Sequence, residues 1–250
     1  LDAILLKLET TPGELVLVVD EYERVENPRV AAIIEGLVET APDTAHLVIG
    51  SRRRPSLAVS VLRAQGVVRT IDAGELRFSV QELGALLDLP EDSPDLAIIA
   101  ERTEGWPVAV ALYRLWRARS GGDDSLSPLF SGQVAEVAEY LTEQVFATLE
   151  QEQQALLTDL SILGYIEAGL ADFVRQRADS ATLLRSVEIA LPGLVEHGAS
   201  DTEPVYRFHP LLIDYARSRA EAPAARTRDR RLRAIASFER RQRYLRALQH

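Results

Sequence analysis

The 250-residue chain carries 28 Lys and Arg against 38 Asp and Glu, a net charge of −10, and has no Cys and no Met. That length accommodates two or three small domains with real cores, and the lack of Cys excludes disulfides, thiol catalysis and Cys-type zinc sites. The four His have no metal-ligand spacing, no apolar stretch is long enough to cross a bilayer and no signal-peptide pattern opens the chain, so a soluble, cytoplasmic protein with no membrane partner is expected.

The first element in chain order is a strand. Five aliphatic residues, Leu15 to Val19, follow Pro12-Gly13 and end abruptly in Asp20-Glu21. Such a run reads as a strand buried on both faces of a parallel sheet, and the carboxyl end of such a strand is where open α/β sheets bind ligands. A phosphate-binding loop, G-x-x-x-x-G-K-[ST], would have to supply a Lys after Gly. The only Lys is Lys7, preceded by Leu6, so this element is missing, as if the chain began partway through its domain.

Residues 29–40 place Val30, Ile33, Ile34, Leu37 and Val38 at helical spacing, with Pro42 after them. A second aliphatic run over 45–49 stops at Gly50 and leads into Ser51-Arg52-Arg53-Arg54-Pro55, completing one parallel βαβ unit. A helix is expected over 56–65, then short strands or extended connections at 67–71 and 76–78.

Near Ser79 the pattern becomes helical. Segments 81–87, 94–104 and 107–119 repeat apolar residues every three or four positions, with Pro94 and Pro107 at helix starts. Ser120-Gly121-Gly122-Asp123-Asp124-Ser125 has linker composition. A long helix over 132–149 follows, then helices over 152–163, 168–177 and 181–190. A hairpin is expected at 194–197 and 205–208 around a polar turn, then a helix over 211–220. Helices followed by a hairpin are the order of a winged helix.

From Arg217 onward eleven Arg face three acidic residues, a balance of +8 that leaves −18 for residues 1–216. The body is therefore a poor nucleic-acid surface. The basic end reads either as a nucleic-acid patch or as a solvated helix with Leu232, Ile235, Phe238 and Leu245 on its apolar side.

Four segments together resemble the large ATP-dependent LuxR-type transcriptional regulators related to MalT, within the STAND class of P-loop NTPases. Leu15 to Glu21 resembles a Walker B strand, although the family often has Asp at the position of Glu21. Leu47-Val48-Ile49-Gly50-Ser51-Arg52 resembles a strand ending in a Ser-Arg sensor. Arg102-Thr103-Glu104-Gly105-Trp106-Pro107 is the most specific match, and Tyr206-Arg207-Phe208-His209-Pro210-Leu211-Leu212 resembles the family's winged-helix segment.

The resemblance implies a mostly α protein with five parts. These are the incomplete α/β parallel-sheet part of an NTPase core over 1–79, a helical subdomain over 80–120, a linker over 121–131, a winged-helix domain over 132–220, and a basic tail or first helical repeat over 221–250. It implies ATP or ADP with Mg²⁺ as cofactors. Asp20 would hold the metal and Glu21 would orient the attacking water. Arg52 would sense the terminal phosphate, Pro107 would lie against the base, and His209 would touch the diphosphate.

Each position also has a structural reading. Asp20 and Glu21 can cap a helix, Arg52 can sit in a solvated loop beside Arg53 and Arg54, Pro107 can simply open a helix, and His209 can be a satisfied His beside Pro210. Trp106, Trp116, Tyr113 and Phe146 read as core. No G-x-S-x-G, zincin or G-x-G-x-x-G pattern occurs, which argues against hydrolase, metalloprotease and dinucleotide chemistry.

The implied function is a nucleotide-dependent switch, closed with ADP and open and self-associating with ATP and an inducer of unknown identity. It would be a weak ATPase in the full-length protein and inactive without the phosphate loop. DNA would be contacted only through a terminal LuxR-type helix-turn-helix absent from these residues. The alternatives are a degenerate scaffold that has lost nucleotide binding, and a STAND or AAA-type ATPase with another output domain.

Overall fold

The computed structural model describes residues 1–250 apart from 26, 53, 54, 56, 58, 122–128, 199–203, 221–228, 230, 231, 234 and 237–250. The protein is mostly helical with two small sheets, and it divides into two compact units, Leu1–Ile71 and Asp72–His250.

The first unit contains the expected βαβ element. Strands β1 (Leu15–Val19) and β2 (Ala45–Ile49) pair in parallel from Leu15↔Ala45 to Val19↔Ile49, and helix α2 (Pro28–Thr40) makes the crossover. That helix starts where local chemistry dictates: Asn27 accepts the Arg29 amide at 3.0 Å, Pro28 occupies the first turn, and Ile34 and Leu37 are buried.

The burial expected of β1 is not observed. Val16 and Val18 are 59% and 63% exposed, because the sheet has only two strands and neither face of β1 is fully covered among the described residues. Helix α1 (Asp2–Thr10) carries no clear apolar stripe, burying only Leu8, and was not anticipated. Helix α3 (Val59–Ala64) lies within the expected 56–65, of which 56 and 58 fall outside the described residues, and of the two readings of 67–71 and 76–78 no strand forms, leaving connections.

In the second unit, helix α4 (Val80–Leu87) begins with a reciprocal capping box between Ser79 and Glu82. Helices α5 (Pro94–Thr103) and α6 (Pro107–Arg119) begin with Pro in their first turn, as expected. The expected linker 121–131 is not purely a spacer. Its residues 122–128 lie outside the described ones, but Phe130 is 1% exposed and packs edge-on against Tyr113 at 5.3 Å. One continuous core runs through Ile99, Tyr113, Phe130, Leu156, Phe208 and Leu211. The segments 80–120 and 132–220, distinct by composition, thus share one hydrophobic interior. Tyr113 and Phe146 are buried there, with Trp106 and Trp116 packed at its margin.

The long helix expected over 132–149 is interrupted. Helix α7 (Ala135–Tyr140) passes into a wide π-type turn, Leu141–Val145, and then a tight 3₁₀ turn, Phe146–Thr148. Val137, Leu141 and Val145 are all buried. Four residues of ideal α-helix overshoot a full turn by about 40°, so widening the turn keeps this i, i+4 series on one face.

Helices α8 (Gln151–Leu160), α9 (Ala168–Arg175) and α10 (Ser180–Ala190) precede the hairpin of β4 (Val195–Gly198) and β5 (Val205–Phe208). A two-residue strand β3 (Ile166–Glu167), too short to leave a sequence pattern, completes an antiparallel sheet in the order β3-β5-β4. Helix α11 (Pro210–Ser218) closes the winged helix. The reading of Phe238 and Leu245 lies outside the described residues, while Leu232 and Ile235 are each 55% exposed. No helix among the described residues is long and apolar enough to cross a membrane.

Candidate functional site

The residues singled out in the sequence fall into two groups, one in each unit. In the first unit, β1 delivers Asp20 to its carboxyl end. Asp20 Oδ1 accepts the Glu21 amide at 2.8 Å, and Glu21 adopts a left-handed conformation, φ 52°, which few non-glycine residues do. The turn is pinned to β2 by the Tyr22 amide donating to Gly50 O at 3.0 Å and the Gly50 amide donating to Val19 O at 2.9 Å. Glycine at position 50 leaves room for the Asp20 carboxylate, since a Cβ there would lie 2.5 Å from Asp20 Oδ1 and the carboxylate would have to turn away.

Beside this turn the Arg52 amide donates to Glu23 Oε2 at 3.1 Å, and the Arg52 guanidinium lies 3.8 Å from Glu23 Oε1. Glu21 instead pairs with Arg24 at 2.8 Å. Asp20, Glu21 and Arg52 are therefore gathered at one sheet edge, with Arg52 held by Glu23, a residue that the strand-end pattern did not single out. Tyr22 is 2% exposed, and its hydroxyl has no hydrogen-bond partner among the described residues.

These residues fit a magnesium ion that is shared with phosphates. Mg²⁺ is commonly held through one or two carboxylates plus substrate oxygens, and Asp20 is an exposed carboxylate at the end of β1. They do not make a protein-only cage: no group of three or more His, Asp or Glu among the described residues could hold a metal. Lys7 sits within α1 and is no substitute for a phosphate loop.

In the second unit the two most specific strings interlock. The segment 102–107 runs from the end of α5 into α6, and 206–212 runs from β5 into α11. His209 is 2% exposed, and its Nε2 lies 2.9 Å from Thr103 O. A carbonyl only accepts, so Nε2 carries the proton and Nδ1 accepts the Leu211 amide at 3.3 Å, capping α11. The imidazole is thus neutral, and burial pushes its pKa below the ordinary value of 6.5. Trp106 stands edge-on to His209 at 5.4 Å and is followed by Pro107 in the first turn of α6, which links the two residues chosen from sequence.

Four charged side chains surround this contact. Arg77 donates to Glu104 O and Gly193 O, both at 2.9 Å, and pairs with the carboxylates of Glu104, at 3.2 Å, and Glu196. Arg207 grips both oxygens of Glu104 and pairs with Glu196 at 3.0 Å. Burial acts to raise the Glu104 pKa, but the hydrogen bond and charge of Arg207 and the hydrogen bond from Arg77 outweigh it and hold the carboxyl below its usual range. Sequence reasoning missed this network. Glu104 and Arg207 lie inside quoted strings, whereas Arg77 and Glu196 carry no local signal. The wing strands β4 and β5 are therefore engaged within the protein.

Burial of a neutral His makes stability depend on pH. The unfolded chain takes up a proton as pH falls through 6.5, whereas the folded imidazole, facing Arg77 and Arg207 as well as Glu104, does so only at lower pH. The contribution is thus complete above 6.5 and is lost as pH falls through the folded pKa. Urea unfolding at pH 7.5 and pH 5.5 is expected to show a smaller stability difference for His209→Gln than for the unmodified protein; equal differences would show that His209 does not carry it.

A family model for the MalT winged helix domain matches residues 142–230, which contain α8 to α11 and the three-stranded sheet. The chain is MalT-like. It is 24% identical over 224 residues to the HTH-type transcriptional regulator MalT of Yersinia enterocolitica, and 25% identical over 224 residues to that of Serratia proteamaculans, covering 87% of this chain and 25% of each relative. It is also 28% identical over 226 residues to the serine/threonine-protein kinase PknK of Mycobacterium tuberculosis, covering 88% of this chain and 20% of the relative. The MalT-like chain thus spans a quarter or less of the length of these relatives. The string 206–212 lies within the residues that match the MalT winged helix domain.

Proposed function

We propose that this chain is the nucleotide-dependent signal-transducing core of a MalT-like regulator of transcription, closed with ADP and open and self-associating with ATP and an inducer. The observation that carries the reading is the gathering of Asp20, Glu21 and Arg52 at the carboxyl edge of a parallel strand pair, where α/β folds bind ligands. In this reading Asp20 holds Mg²⁺, Glu21 orients water and Arg52 answers to the terminal phosphate, as a planar and permanently charged donor can. In the second unit the same reading gives Pro107 to a nucleotide base and His209 to a diphosphate, in place of the bond that its Nε2 makes to Thr103 O.

Asp20→Asn in the full-length protein tests this directly, because it removes the metal-binding charge while conserving shape. Folding is expected to be unchanged by circular dichroism, and Mg²⁺-dependent ATP hydrolysis to fall by about 10²-fold or more. Unchanged turnover would refute the metal-holding role of Asp20, whereas no turnover in either protein would favour the degenerate-scaffold alternative. The 250 residues alone, lacking a phosphate cradle, are expected to show no micromolar ATP affinity by isothermal titration.

The similarity to PknK supports a second reading, in which the same core regulates a different output domain. DNA contact through a LuxR-type helix-turn-helix and control by a small inducer belong to the first reading only.

A further inference from the structure

An open groove of about 700 Å³ runs between α6 and the α7–π segment of the second unit. Its floor is apolar, from Leu112, Leu115 and Ala118, and Leu115 is 59% exposed. Its far rim is acidic. Glu136 is paired with Arg119 at 2.7 Å, but Glu139 and Glu143 are exposed, and neither forms an ion pair among the described residues. An apolar floor with an acidic rim fits a basic amphipathic helix, the helix-in-groove mode of recognition.

The same chain carries a segment of that chemistry. From Arg226 to Arg246 nine Arg alternate with Leu232, Ile235, Phe238 and Leu245, against only Asp229 and Glu239. That spacing predicts an apolar stripe flanked by guanidinium groups. Leu232 and Ile235 are each 55% exposed, so these two apolar side chains are free to meet another surface, as is Leu115 in the groove. We infer that the groove between α6 and α7 binds the Arg-rich segment 226–246 of a second copy of this chain.

The contact joins two different surfaces of one molecule, so it is heterologous and builds rings or open chains rather than stopping at a pair. Attraction between exposed charges also makes it sensitive to salt. Neither surface involves Asp20, Glu21 or Arg52, so this contact is distinct from the nucleotide-controlled self-association proposed above, and its test without nucleotide is separate from that of the proposed function.

Sedimentation velocity of the 250-residue protein without nucleotide is expected to show mass rising with concentration at low salt and falling towards the monomer in about 0.5 M NaCl. Reversing the rim with Glu139→Arg and Glu143→Arg, or the segment with Arg230→Glu and Arg231→Glu, is expected to weaken association by at least about tenfold, because like charges then meet. An equimolar mixture of the two variants is expected to associate again, since the reversed rim of one meets the reversed segment of the other. That recovery also shows that both variants are folded. A wild-type protein monomeric at every concentration, a rim-reversed variant that associates normally, or a mixture that stays monomeric would each overturn the inference. The last is the outcome if the segment folds back on its own chain.

Discussion

Gly105→Ala is expected to destabilise the second unit by about 3 kcal/mol, the largest effect of any single-methyl change in the quoted strings. Gly105 has φ +70°, and a Cβ there would lie 2.2 Å from Phe78 O and 3.1 Å from Phe78 N. The same approach carries a hydrogen bond from the Phe78 amide to Gly105 O at 2.8 Å. An added methyl incurs left-handed backbone strain and also forces this backbone pair apart. Gly121 separates the two effects, since its φ is +80° but among the described residues no atom lies within 4 Å of its would-be Cβ. In urea unfolding Gly121→Ala is expected to cost only the strain, about 1–2 kcal/mol. Equal costs at both positions would remove the close-approach argument.

The second large effect is expected at Glu104. Its side chain is 17% exposed and binds Arg77, itself 19% exposed, and Arg207. Truncation to Ala leaves two guanidinium groups sharing the single carboxylate of Glu196, which is more exposed than Glu104. The cost should fall between that of an exposed pair and that of a buried one, about 2–3 kcal/mol. Arg207→Ala is expected to cost less, because Arg207 is 39% exposed and Arg77 still neutralises Glu104. A double-mutant cycle is expected to return a coupling of about 1–2 kcal/mol, whereas additive losses would mean that the bidentate contact contributes nothing specific. With its folded pKa depressed, Glu104 adds stability that is present above its ordinary value of 4.5 and is lost as pH falls through the folded value.

Both effects show why the string 102–107 has its composition. Thr103 offers the carbonyl that receives His209, Glu104 holds Arg77 and Arg207, Gly105 admits Phe78, Trp106 meets His209, and Pro107 starts α6. Arg102 adds a contact to Asp214 at 3.6 Å. The family likeness of this string and of 206–212 was visible in the sequence, but their physical partnership was not.

What the sequence determined by itself was local. Ser79, Pro94 and Pro107 set helix starts because caps and the fixed φ of proline act within one turn. The βαβ unit and the hairpin were legible because apolar periods and breakers repeat over a few residues. The tertiary structure decided everything that depends on distant pairing. Arg207 meets Glu104 across 103 residues and Arg77 meets Glu196 across 119, separations at which no pattern along the chain carries information. The two-residue strand β3 exists only because β5 offers it a ladder, and the π turn at Leu141–Val145 only because Val137, Leu141 and Val145 must share one core. The same holds for β1: its aliphatic run predicted burial, but burial is a property of neighbours, and in these residues the sheet has two strands. A segment's own residues specify its conformation, while the charge, exposure and pKa of its side chains are set by whatever the fold brings against them.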